Sequence, residues 1–331
     1  MFSSVAIAIT PLLSRTIMGG LLNWYDNHAR PLPWRIEEVS PWETLLAEII
    51  MQQTRMETGL PYWERIRAAY PTPQSLAQDS EENLMLLWQG CGYYARARNL
   101  YKLAVALGEN DLPREYGELL KLPGIGPYTA AAISSICHNE PVACVDGNIR
   151  RVLSRFHATD LSPSQLNSKA TEKLDTTRPG DWNQAMMELG SLVCTPRNPN
   201  CTECPMNSTC VGMTSGNPEI WPVKKKKKQK SVSLVALIIH NLEGVHLIER
   251  TGKTLGGLRG IPLAEVGIES DDLLSGRDVT HIGKIKHDFT HRKLLVDVYS
   301  TSPRSGEVVI DPETAPLSSL DRKILSLVDA V

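Results

Sequence analysis

Residues 122–130 read LPGIGPYTA, and the reading of this stretch decides how the chain around it is organised. Gly124 and Gly126 allow the backbone to turn tightly, and Pro127 suits the first position of a helix, where its missing N–H has no intrahelical use. The first amides of that helix point outward, so the turn offers a site for a phosphate oxygen. A G-x-G turn alone is weak evidence, because many helix-turn-helix connections contain one. VDGN follows at residues 145–148, with Asp146 placed just before a further helical run and suited to an N-cap.

Upstream, residues 45–54 read LLAEIIMQQT. Leu45, Leu46, Ile49 and Ile50 recur at the spacing of one buried helix face, and Ser40-Pro41-Trp42-Glu43 fits a capping box with proline at the first helical position. Glu48 thus sits within an apolar helical run. By periodicity alone it is read as a solvated side chain.

The chain has 331 residues, which is too long for one small core and predicts two domains. Its net charge of −2 gives no global sign of a polyanionic partner, although a balanced total can hide a basic face. An apolar stretch at residues 5–13 is interrupted by Thr10 and Pro11, is too short to span a bilayer and lacks a basic segment before it. Met18 begins ordinary helical pattern, so residues 1–18 are read as an upstream extension or a misassigned start, and a cytoplasmic protein is expected.

Helical pattern is read near 19–29, 41–57, 61–69, 81–88, 93–108, 115–121, 127–138, 147–157 and 181–193. VKKKKKQK, residues 223–230, reads as a solvated linker that could also follow a phosphate backbone. The period then changes. VSLVALII (232–239) and VHLIE (245–249) form an expected hairpin, KLLVDVY (293–299) a further strand, and SSLDRKILSLV a serine-capped helix, so a mixed α/β domain is expected from about Ser231.

Of seven cysteines, Cys91, Cys137 and Cys144 are scattered, whereas Cys194, Cys201, Cys204 and Cys210 follow C-x6-C-x2-C-x5-C. Without a secretory signal such a cluster points to metal rather than disulfides. Spacing leaves zinc, copper and iron-sulfur open.

The cluster following NQAMMELGSLVC, together with LPGIGPYTA and VDGN, resembles the endonuclease III and MutY superfamily of DNA glycosylases. AEIIMQQT (47–54) and GCGYYARARNL (90–100) are similar to MutY motifs, and the last hundred residues resemble the MutT-like domain of that family. The resemblance runs from about residue 19 to the end. It implies an all-α helix-hairpin-helix glycosylase domain (19–223) with an iron-sulfur cluster loop (194–210), a basic linker (224–230), and a smaller α/β MutT-like (Nudix-like) lesion-recognition domain (231–331).

The activity so implied is monofunctional removal of adenine mispaired with 8-oxoguanine, or less efficiently with guanine, by a monomer acting on double-stranded DNA in base-excision repair. Glu48 would protonate adenine, Asp146 would stabilise the sugar cation, and Tyr128 and Asn148 would position that group. Tyr128 stands where bifunctional relatives carry a Schiff-base lysine. The four cysteines would hold a 4Fe-4S cluster that orders a loop near DNA, with Arg197 at its tip and Gly124 and Gly126 at the hairpin. Trp34, Arg35 and Gln184 would line the adenine pocket; Gln52 and Gln53 would lie at the lesion, and Tyr93 would wedge into the duplex. In HDFTH (287–291), Phe289, Thr290 and His291 stand where the family has F-S-H.

The chain departs from that pattern in TLGGLRGIP (254–262), which lacks the usual aromatics, and it has no glutamate-rich phosphohydrolase box, so pyrophosphohydrolase activity is not expected. The competing readings are a thymine glycosylase acting on T-G mismatches and a nonenzymatic iron-sulfur DNA-binding protein. Thr290→Ala is expected to weaken the preference for 8-oxoguanine over guanine more than it slows excision at saturating enzyme. Single-turnover rates on the two duplexes check this, and unchanged discrimination would refute it.

Overall fold

The computed structural model describes residues 11–35, 39–223, 230–251, 255–289 and 292–328, with side chains from residue 20 onward. Residues 1–10 of the extension, 224–229 of the lysine-rich stretch, Thr254, Thr290 and His291 lie outside the described residues. No described helix is long and apolar enough to cross a membrane.

Two compact units emerge: Met1–Ile49 with Asp111–Lys225, and Ile50–Asn110 with Lys226–Val331. The first is helical, built from Pro11–His28, Pro41–Ile50, Tyr116–Leu119, Pro127–His138, Gly147–Phe156, Pro163–Lys173 and Pro179–Leu192. Leu22, Ile149, Leu153, Phe156, Trp182 and Met186 meet in its core. Local chemistry sets the helix starts. Ser40 Oγ accepts from Glu43 N at 3.2 Å while Glu43 Oε2 accepts from Ser40 N at 2.9 Å, closing the expected capping box. Ser162 and Gln165 do the same before Pro163–Lys173, a helix the apolar periodicity did not reveal.

In the second unit the helices Met56–Ala69, Pro73–Ala77, Glu81–Trp88 and Ala95–Leu107 share a body with the α/β region. Leu317 joins the two by accepting from the Tyr94 hydroxyl at 3.3 Å and donating to Gln89 Oε1 at 3.1 Å. The expected continuous helix over 41–57 is broken: it stops at Ile50, and residues 51–54 turn before Met56 restarts it. The Arg96 guanidinium caps the break, taking the carbonyls of Ile50 and Gln52, which lack helical partners, at 2.7 and 2.6 Å.

The sheet centres on Lys230–Asn241, which runs parallel to Arg292–Thr301 from Lys230 opposite Arg292 to Ile239 opposite Thr301. Thr280–Phe289, a strand whose weak alternation hid it in the sequence, pairs antiparallel with Arg292–Thr301. Gly244–Val245 turns back on Lys230–Asn241, so the expected hairpin forms at its turn only: Ile248–Glu249 pairs instead with Arg259–Gly260 in a separate two-stranded sheet, and Leu263–Glu265 pairs with Lys230–Asn241. Ser318 caps the helix Ser319–Leu325. Ala236, Ile238, Val296, Val298, Leu320 and Ile324 form the core between sheet and helix.

A buried side chain stitches the hairpin helix Pro127–His138 to Pro179–Leu192. Asn183 Oδ1 accepts from Cys144 N at 3.0 Å, and its Nδ2 donates to Ser135 Oγ at 2.8 Å and Val142 O at 2.9 Å. Asn183→Leu strands these buried groups and is expected to cost about 2–4 kcal/mol. Urea denaturation measures it, and an unmoved midpoint would contradict the assignment of these bonds.

Candidate active site

Glu48 lies near the end of Pro41–Ile50, whose Leu45, Leu46 and Ile50 are buried. It is not the solvated side chain that periodicity favours. Only part of its surface remains open, and the Tyr128 hydroxyl donates to its Oε2 at 2.6 Å. Desolvation raises the Glu48 carboxyl above the ordinary glutamate range, and the nearby Asp146 charge raises it further; the Tyr128 bond and the Arg35 charge pull against them. Tyr128 in turn is held well above the usual phenol range by its burial and by the Glu48 charge. Its hydroxyl also lies 3.2 Å from Met187 Sδ. The Tyr128 hydroxyl thus bonds Glu48, whereas Asp146 takes its side-chain hydrogen bond from Asn148.

Asp146 is an N-cap and partly buried. Its Oδ1 accepts from Ile149 N at 2.7 Å, starting Gly147–Phe156, and its Oδ2 accepts from Asn148 Nδ2 at 2.9 Å. Burial nonetheless leaves its carboxyl above the usual aspartate range, with those hydrogen bonds opposing the shift. Asn148 Oδ1 accepts from Arg151 Nη2 at 2.9 Å, and Arg151 Nε donates to Cys194 O at 2.8 Å. Polar contacts thus run without a gap from Asp146 to the first cysteine of the cluster loop. Gly190 permits this approach, since a Cβ there would lie 2.6 Å from Asn148 Cβ.

Glu188 and Arg30, like Arg151 and Arg155, carry no sequence motif. Glu188, fully buried on Pro179–Leu192, accepts from Arg30 Nε at 3.1 and 2.9 Å and pairs with Arg35. The available signal was the one that drew attention to Glu48, a carboxylate among apolar helical neighbours. Arg35 closes the 3₁₀ turn Pro33–Arg35, where Trp34 is buried, and half-buried Gln184 lies one turn before Glu188.

At the hairpin, Gly124 has φ 76°, a conformation glycine favours, whereas Gly126 caps Pro127–His138 at φ −95°. In the second unit, Gln53 and Tyr93 are both exposed and both have positive φ, 57° and 50°, with Gln52 half-buried beside the first. Phe289, half-buried, meets His287 edge-on at 4.8 Å. Arg197 is exposed in the cysteine loop, where its carbonyl accepts from Thr195 Oγ1 at 2.9 Å.

Cys194, Cys201, Cys204 and Cys210 are each partly buried and form no disulfide. Among the described residues no three His, Cys, Asp or Glu are gathered tightly enough to hold a single metal ion, so the fit is judged by donor chemistry. Four soft thiols suit iron-sulfur ligation, and the buried Arg155 guanidinium, with Nη1 3.4 Å from Cys194 Sγ, suits a thiolate. Arg155 also holds the loop backbone through Thr195 O at 2.7 Å and Pro196 O at 3.1 Å.

Residues 46–176 match the HhH-GPD superfamily of base excision DNA repair proteins, and residues 194–210 match the iron-sulfur binding domain of endonuclease III. The fold is shared with a thermostable thymine-DNA glycosylase (TM-score 0.57, 23% identity, 61% of this chain and 97% of that one). It is shared also with endonuclease III trapped on DNA (TM-score 0.55, 23% identity, 62% and 98%). The chain thus has the helix-hairpin-helix glycosylase fold, and residues 194–210, where the four cysteines lie, form an iron-sulfur domain that binds a 4Fe-4S cluster.

An adenine DNA glycosylase of Buchnera aphidicola from Baizongia pistaciae is 32% identical over 297 residues, 84% of this chain and 83% of that protein. The Arabidopsis thaliana and human adenine DNA glycosylases are 37% and 39% identical over 70% and 61% of the chain. Of those two longer proteins the chain spans only 43% and 42%. It belongs to the adenine DNA glycosylase family of base-excision repair enzymes.

The two raised carboxyls have a consequence for stability. The native state binds the Glu48 proton more tightly than the unfolded chain does, so stability is lost as pH rises from the ordinary glutamate value of 4.5 through the raised native one. Glu48→Gln is expected to raise Tm by about 2–4 °C at mildly alkaline pH. The gain should vanish toward about pH 4. Calorimetry across pH checks this; a gain of the same size at every pH would oppose it.

Proposed function

We propose that this chain excises adenine mispaired with 8-oxoguanine, and less efficiently with guanine, from double-stranded DNA, leaving the strand intact. The observation that carries this reading is Glu48, desolvated and bonded to the Tyr128 hydroxyl at 2.6 Å, with the Asp146 charge acting on it. Adenine is a poor leaving group, and protonation at N7 by Glu48 lets it depart with the electrons of the glycosidic bond. Tyr128 occupies Oε2, leaving Oε1 to carry the proton.

As that bond breaks, positive charge develops on the sugar. Asp146, oriented by Ile149 N and Asn148, stabilises the cation or captures it transiently, as a paired carboxylate does in retaining glycosidases, before water completes hydrolysis. Tyr128 offers no amine for a Schiff base, so strand cleavage is not part of the reaction. Trp34, Arg35 and Gln184 line the adenine pocket. The hairpin amides at Gly124 and Gly126 and the loop residue Arg197 contact phosphates, and the cluster orders that loop without taking part in base excision.

Gln52 and Gln53 lie against the helix at the lesion and Tyr93 wedges into the stack, offsetting unpairing that costs a few kcal/mol. Residues 231–331 recognise 8-oxoguanine, with Thr290 bonding its altered edge and Phe289 and His291 ordering the loop. The enzyme acts as a monomer on cytoplasmic, nucleoid-associated DNA.

Glu48→Gln and Asp146→Asn are each expected to slow single-turnover adenine release by roughly 10²–10⁴-fold while binding to an 8-oxoguanine-adenine duplex persists. Full excision by either variant would sink the mechanism. Thymine release from a T-G duplex by the unaltered protein would favour the thymine-glycosylase reading, and lesion binding without release of any base would favour a nonenzymatic one.

A further inference from the structure

The exposed residues Gln53 and Tyr93 belong to separate turns of the second unit, one after Pro41–Ile50 and the other before Ala95–Leu107. Each has a positive φ that side-chain-bearing residues seldom adopt. Such backbone persists only where its surroundings over-determine it. One side chain reaches both turns. Arg96 Nη1 donates to Ile50 O at 2.7 Å and Gln52 O at 2.6 Å, and its Nη2 donates to Gly92 O at 3.0 Å. Its guanidinium carbon also lies 5.3 Å from the centroid of the Trp88 ring and 5.4 Å from that of Tyr93.

The planar fork suits this task. Its nitrogens diverge in a fixed plane, so acceptors on two different turns are held at one separation, and its faces remain free for aromatic rings. A lysine ammonium is a point charge that can reach one set of carbonyls but cannot span both or stack in the same way.

We propose that Arg96 is a positioning residue that ties the Gln52-Gln53 turn and the Tyr93 turn into one rigid probe of the base stack. The proposal rests on the adenine-excision reading for its substrate, but not for its mechanics. With the probe rigid, both side chains enter a lesion duplex without the added cost of ordering their backbone; with the fork lost, each turn must be ordered at binding. The effect falls on recognition rather than on the chemical step at Glu48.

The test uses full-length, cluster-loaded protein carrying Arg96→Lys, with Arg96→Met as a second variant, each verified by its cluster absorbance and thermal melting. Hydrogen exchange of residues 50–54 and 89–94 reads the mechanics without any substrate. Affinity for 8-oxoguanine-adenine against undamaged duplex, measured in the Glu48→Gln background, reads recognition. In Arg96→Lys, exchange in both segments should accelerate together and lesion discrimination should fall about tenfold or more. Single-turnover excision at saturating enzyme, measured with Glu48 present, should change far less.

Faster exchange in only one segment, or in neither, overturns the proposal, as does wild-type discrimination in a variant whose two turns have loosened. Equal losses in affinity and saturating rate would also overturn it. If the unaltered protein released no adenine, the functional reading would fail, while the exchange result would still decide whether Arg96 couples the turns.

Discussion

The hydrogen bond from the Tyr128 hydroxyl to Glu48 is the constraint on which the first unit depends. A carboxylate taken out of water costs several kcal/mol unless it is paired or protonated, so a lone Glu48 among apolar helical neighbours would be expelled. One neutral donor offsets part of that cost and leaves the carboxyl raised. Holding it at 2.6 Å requires Pro41–Ile50 and Pro127–His138 to keep their places, and the capping box at Ser40 and the buried bonds of Asn183 fix those helices at the relevant points.

Arginines extend the same logic to irregular backbone. Turns leave carbonyl oxygens without helical or sheet partners, and buried carbonyls must find donors. Arg155 supplies them to the cysteine loop, Arg151 to Cys194 and Gly190, and Arg96 to the residues after Ile50. Each guanidinium presents several donors from a rigid plane, so one residue can shape a whole turn. The unusual backbone at Gln53 and Tyr93 is found beside one of these arginines.

What could be read beforehand follows the range of the interactions involved. The hairpin, the cap at Asp146, the box at Ser40 and the cysteine spacing are local, and LPGIGPYTA, VDGN and the cluster announce them within a few residues. The break after Ile50 is not legible in the sequence, because the donor that caps it lies 46 positions away, in a side chain whose own helix reads as ordinary. Apolar periodicity is too weak to mark Pro73–Ala77 and Pro163–Lys173, although Thr72 and Ser162 carry the capping chemistry of a helix start. The alternation of Thr280–Phe289 is diluted by lysine and histidine, and its pairing with Arg292–Thr301 supplies what its composition lacks.

Glu48 shows the division most clearly. By itself the sequence determined that a carboxylate would sit on this helix, that a tyrosine would follow the hairpin glycines, and that an aspartate would begin the next helix, since residue type and local caps are properties of short segments. Only the tertiary structure decided that the first two would meet, that Glu188 would pair with Arg30 and Arg35, and that the helices after Ile50 would share a body with the α/β region. The reason is physical: the protonation preference of a carboxyl and the pairing of a buried charge depend on which groups packing brings within a few ångströms, whatever their separation along the chain.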